Sequence, residues 1–124
     1  MAHGDITHIE IPVKDMGRAR TFYSTLFEWQ IHETPGYEGY PMWRAPNGIS
    51  GGALTERSAD FTQPRSFVEV DSIEDVLMRT PDAGGSVLVE KQPISDTSWW
   101  AVIADPDGNE IGLYENADPM TEQG

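Results

Sequence analysis

Apolar and polar positions partly alternate along Ile6-Thr7-His8-Ile9-Glu10-Ile11-Pro12-Val13, and again along Ser66-Phe67-Val68-Glu69-Val70. A period of two marks a strand with one buried face. Each run meets a residue able to cap a helix: Asp15 in the first case, Asp71 or Ser72 in the second. Ala19, Phe22, Tyr23 and Leu26 then recur at helical spacing and predict a helix over 16–27. Ile73, Val76 and Leu77 predict a second over 73–79, ending near Pro81, with Ala83-Gly84-Gly85 as its exit. Arg44-Ala45-Pro46-Asn47-Gly48 and Ala104-Asp105-Pro106-Asp107-Gly108 match as turns, proline presetting φ and Asn-Gly or Asp-Gly tolerating the reversal. Strand-like runs flank both, at 39–44 and 51–54, and at 99–103 and 111–114.

Val13 and Val70 lie 57 positions apart, Pro46 and Pro106 lie 60 apart, so the offset holds from one end of the module to the other. The pattern therefore predicts an α+β chain of two tandem βαβββ modules. Module one covers about 5–54, a polar linker about 55–64, and module two about 65–116, with a frayed tail over 117–124.

Composition narrows the function classes. A chain of 124 residues suits one domain, able to bury roughly two-thirds of its unfolded surface. It has no cysteine, which excludes disulfides, thiolate chemistry and Cys-ligated zinc, and points to a reducing, cytoplasmic setting. No signal peptide or membrane-length apolar run is expected from the sequence. Eight basic residues against 21 acidic ones give a net charge of −13. That field repels polyanions, so nucleic acid and anionic membrane are not expected partners.

The opening THIEIPVKDMGRARTFYSTLFEW, the turn APNGISGGAL and the closing ADPDGNEIGLYEN resemble the vicinal oxygen chelate superfamily. That superfamily contains glyoxalase I, the extradiol dioxygenases and the bleomycin-resistance proteins. The resemblance runs from Asp5 to Asn116 and implies paired βαβββ modules forming a curled mixed sheet around a cup. It also implies a small-molecule ligand in that cup and a homodimer. Metal enzymes of the family carry His or Glu ligands on the first and last strand of each module. Carried over, those positions fall on His8, on Arg65 with Ser66 and Phe67 beside it, around Gly52, and on Gly112. Glycine cannot ligate through a side chain, and arginine repels a cation. No cofactor is therefore expected. A divalent metal held by His8 with Glu10 or Glu69 is the lesser alternative.

Strand period places His8, Glu10 and Pro12 on one face and Ile9, Ile11 and Val13 on the other. With the apolar set under the helix, His8 and Glu10 look toward the cup, and by the same logic so do Arg65, Phe67 and Glu69. Burial and charge pairing there are expected to bring these groups toward neutral pKa, or to join them in an unreactive network. His8 and Glu69 are the catalytic candidates; Glu10, Arg44, Arg65, Phe67, Trp100 and Tyr114 are the ligand-binding ones. Arg44 offers positive charge at the rim, and Tyr114 shares a face with Gly112. Trp43, Trp99 and Trp100 are core or ligand-stacking residues, with at most one of the neighbours Trp99 and Trp100 facing the cup. Gly48-Ile49-Ser50-Gly51-Gly52 matches a hydrolase string but sits in a hairpin, where it has no catalytic meaning. Its Gly51-Gly52 suits a close approach of backbone or ligand. Two functions follow: metal-free binding of a small molecule, as in the bleomycin-resistance branch, or a lyase or isomerase of the glyoxalase kind. A vestigial accessory domain is a third.

Overall fold

A computed structural model describes residues 3–117, which form two helices and eight strands of an α+β fold. By their internal contacts they group into two units, Thr7–Arg65, and the residues before Thr7 together with those from Ser66 onward. Most of the predicted tail lies outside the described residues; Ala117 donates its N–H to the Thr97 carbonyl at 2.8 Å.

In the first unit, β1 (Ile6–Val13) leads to α1 (Met16–Phe27), then to β2 (Gln30–His32), β3 (Met42–Arg44) and β4 (Gly51–Glu56). The strands lie in the order β2-β3-β4-β1, with β1 parallel to β4 and the other pairs antiparallel. Asp15 caps α1 by accepting from Arg18 N, and the helix ends at Glu28, in the left-handed region at φ 59°. β3 is shorter than the predicted 39–44 run. Pro41 has no N–H to give a ladder, and Tyr40 N turns back to the Tyr37 carbonyl at 3.2 Å. β4 outlasts its predicted end at Leu54, because Thr55 and Glu56 still pair with Pro12 and Val13.

Trp43, Ala53 and Leu54 are buried. Trp43 stacks on Trp29 at 3.7 Å between centroids, and Trp29 on Tyr23 of α1 at 4.9 Å, so a column of three rings joins helix to sheet. Trp43 thus packs within the first unit. Ile9, Ile11 and Val13 are only half-buried, contrary to the expected core face, and it is Pro12 that is buried. No residue of α1 is fully buried, and Phe22, Leu26 and Phe27 are about half exposed.

The second unit repeats the plan with β5 (Arg65–Glu69), α2 (Ile73–Arg79), β6 (Ser86–Pro93), β7 (Ser98–Ala104) and β8 (Glu110–Asn116). The order is β5-β8-β7-β6, with β5 parallel to β8 and the rest antiparallel. Ser72, not Asp71, caps α2, accepting from Asp75 N at 3.1 Å. Here the helix is anchored. Ile73 is fully buried with Val70, Ala101 and Leu113, and Val68, Val76, Leu77, Trp99 and Ile103 pack around them. Among the described residues no helix is long and apolar enough to cross a membrane.

Candidate functional site

His8 and Glu10 extend from the same face of β1, as a period of two requires. The loop before β3 brings Tyr40 between them. Its hydroxyl donates to Glu10 Oε2 at 2.7 Å and lies 2.9 Å from His8 Nε2. The His8 and Tyr40 rings are nearly parallel, 10° apart in plane and 6.2 Å between centroids. Arg65, at the start of β5, sets its guanidinium 3.8 Å from Glu10 Oε1, with both side chains mostly buried. The same guanidinium rests 4.8 Å from the centre of the Phe61 ring. Although predicted to serve the second module, Arg65 thus makes these contacts within the first unit.

Protonation follows from this geometry. Burial lowers the His8 pKa to about 4, so the ring is neutral at physiological pH. Burial, then the charge and hydrogen bond of Glu10, push the Tyr40 phenol up. The expected move toward neutral pKa does not occur at His8, which burial carries downward. A hydroxyl has one proton, and that of Tyr40 goes to Glu10. The contact with His8 must then be an Nε2–H donation to the phenol oxygen. Within the cluster, Arg65 faces Glu10 with opposite charge.

On the second unit, Phe67, Gly112, Tyr114 and Trp100 lie on the sheet face opposite the α2 core, with Glu69 paired to Tyr114 and Phe67 to Gly112. Phe67 is buried and its ring lies over Gly112: a Cβ built there would stand 2.4 Å from the ring. The space beside Gly112, on the face it shares with Tyr114, is therefore filled by Phe67. The Tyr114 hydroxyl accepts from Asn116 Nδ2 at 3.1 Å, and the Glu69 carboxyl is buried. Trp99 turns to the core, beneath Lys91 Nζ at 4.6 Å, which leaves Trp100 as the member of the pair on the opposite face.

Arg44 is exposed and spends its guanidinium on the Gly48 carbonyl of its own turn, at 2.8 Å. The glycine pair behaves as expected of a close approach. A Cβ at Gly52 would stand 1.8 Å from the Ile9 carbonyl oxygen. Asp105 is a turn residue, accepting from Asp107 N and Asn109 N, and Asn109 holds its carboxyl below the usual range. Two open surface grooves lie elsewhere. One, of about 560 Å³, lies between α2 and the Asp105–Pro106 turn, and one of about 700 Å³ runs along the start of α1.

Tyr40 and Phe61 went unmarked by the sequence pattern. Tyr40 sits where that pattern predicted plain strand, and Phe61 lies in the predicted linker. The one available signal was an aromatic beside a proline, in Tyr40-Pro41.

Known proteins show the same plan. Curated proteins of Mycobacterium bovis and Mycobacterium tuberculosis, both named "Putative glyoxylase CFP32", are 25% identical over 114 residues, 86% of this chain and 44% of theirs. The chain thus spans less than half the length of these relatives. Methylmalonyl-CoA epimerase from Mycobacterium tuberculosis superposes with a TM-score of 0.68 at 18% identity, covering 96% of this chain and 91% of that one. A Vibrio splendidus superfamily member gives 0.63 at 13% identity, covering 88% and 97%. At these identities the structural likeness speaks for the fold. A family model matches residues 5–113. By that match the chain belongs to the Glyoxalase/Bleomycin resistance protein/Dioxygenase superfamily.

Proposed function

We propose that the protein binds an uncharged small molecule at the sheet face carrying His8, without a metal, in the manner of the bleomycin-resistance branch. The observation that carries this reading is the compensated cluster of neutral His8, protonated Tyr40, and Glu10 paired to Arg65. It offers hydrogen bonds and aromatic surface but no net positive charge for an anion, in a chain already at −13. Phe67, Glu69, Tyr114 and Trp100 are the second module's candidates for the same task. A thermal-shift screen of uncharged planar aromatic compounds against carboxylates and phosphates tests the reading. A neutral compound should raise the melting temperature, and His8→Ala should abolish the rise. Selective stabilisation by anions, or unchanged binding by His8→Ala, would refute it.

A second reading is favoured by the unbroken hydrogen-bonded run from His8 through Tyr40 to Glu10. It makes the protein an acid–base lyase or isomerase working through His8 with Glu10 or Glu69. Solvent deuterium incorporation into a bound carbonyl compound, lost in His8→Gln, would favour it over binding alone.

The protein is further proposed to work in the cytoplasm as a homodimer. The unmatched part of the CFP32 proteins exceeds the matched part, leaving room for another domain of this size. The half-exposed Phe22, Leu26 and Phe27 of α1 supply apolar surface for pairing. Sedimentation of a single monomeric species at high concentration would refute the dimer.

A further inference from the structure

The family's metal chemistry asks for donors that this chain does not assemble. Of the four strand positions, Arg65 brings positive charge to within 3.8 Å of Glu10. Gly112 lies beneath the Phe67 ring, and Gly52 has no room for any side chain. Among the described residues no three His, Asp or Glu side chains converge. The residues present do not fit the group, and Tyr40 shows what has replaced it.

We infer that Tyr40 closes this site to divalent cations: its hydroxyl bridges the imidazole of His8 and the carboxylate of Glu10, turning two potential ligands into the ends of a hydrogen-bond clamp. The distances suit a clamp. Metal bonds to imidazole nitrogen or carboxylate oxygen span about 2.0–2.2 Å, whereas the hydroxyl stands 2.9 and 2.7 Å from its partners. Each end is also chemically occupied. With the phenol proton given to Glu10, His8 must present Nε2–H, so the nitrogen facing Tyr40 has no lone pair for a metal. The two carboxylate oxygens of Glu10 face Tyr40 and Arg65. Phe61, stacked on Arg65, acts as a positioning residue for the far end.

This rests on the reading of the His8 face as the ligand site and specifies its chemistry. Ligands that need a cation to chelate two adjacent oxygens are excluded, and ligands recognised by hydrogen bonds are admitted. The test is long-range proton–nitrogen NMR on protein with ¹⁵N-labelled histidine, using His8→Gln to assign the signal. Wild-type His8 should read as the Nε2–H tautomer at about pH 8, where an imidazole is neutral, and stay unmoved by equimolar Zn²⁺. In Tyr40→Phe, which frees two donors where a tight site needs at least three, the His8 signals should shift on adding Zn²⁺ in large excess, and that shift should vanish in Tyr40→Phe/His8→Gln. An Nδ1–H tautomer, wild-type signals that move with Zn²⁺, or a Tyr40→Phe variant as indifferent to Zn²⁺ as wild type would each overturn the inference. The wild-type spectra decide the matter should Tyr40→Phe not fold. A failed compound screen would count against ligand binding and leave these spectra untouched.

Discussion

Gly52 and Gly112 hold matching places in the two modules, and a single methyl group meets a different obstacle at each. At Gly112 the added carbon would stand 2.4 Å from Phe67 Cδ2, a side-chain atom that can swing away at the cost of repacking. At Gly52 it would stand 1.8 Å from the Ile9 carbonyl oxygen, well over an ångström short of the 3.4 Å where ordinary contact begins. That oxygen belongs to β1, which runs parallel to β4 in direct register with Gly52. Relief there means prising two strands apart. Gly112→Ala is therefore expected to cost about 1–3 kcal/mol, the usual range for overpacking. Gly52→Ala is expected to cost more than about 4 kcal/mol, or to prevent folding. For a chain of this size each kcal/mol corresponds to about 3–5 °C in melting temperature. Urea denaturation followed by tryptophan fluorescence measures both. A double-mutant cycle identifies the obstacle: Phe67→Leu should recover about 1–3 kcal/mol of the Gly112→Ala loss as coupling energy. The reasoning fails if Gly52→Ala lies within about 1 kcal/mol of wild type, a loss far below the strand separation argued here. It fails equally if Gly112→Ala and Phe67→Leu are simply additive.

His8 makes stability depend on pH. The unfolded ring takes a proton near 6.5 and the folded ring only at about 4, so the unfolded state binds more protons between those values. Stability should fall as pH drops through that window, and His8→Gln should flatten the fall in a series of urea midpoints. The Glu115 carboxylate accepts from the N–H of buried Ile73 at 2.8 Å and faces Lys91 Nζ at 3.7 Å. Glu115→Ala should cost about 2 kcal/mol in urea unfolding, and Glu115→Gln, which keeps an acceptor, clearly less. Lys91→Ala should cost about 1 kcal/mol, through its place over Trp99 and beside Glu115, with only part of the loss removed by salt.

Periodicity made most of the fold legible. The bounds of α1 and α2 and the two matched turns follow from spacing and caps, which are local in the chain. The strand ends shifted where pairing, rather than composition, decides them, as at Thr55 and Glu56. The candidate site was legible only in outline. Alternation fixed that His8 and Glu10 share a face, since a strand allows nothing else. It could not reveal that Tyr40, 32 positions from His8 and 30 from Glu10, would reach between them, because a loop's path depends on tertiary packing. Nor could it tell that Phe67 would lie down over Gly112, since a missing Cβ marks a space without naming what fills it.

Because α1 fully buries none of its side chains while α2 fixes Ile73 in a sealed core, the two modules cannot resist opening equally. Amide protons of α1 should exchange with solvent through small local excursions, and those around Ile73 only through unfolding of the whole second unit. One helix then acts as a clock for local breathing and the other for global stability. Should two copies pair through Phe22, Leu26 and Phe27, the first clock would slow with rising protein concentration while the second kept its rate. Exchange in α1 would thus report assembly in a molecule whose repeated halves hold their helices with unequal firmness.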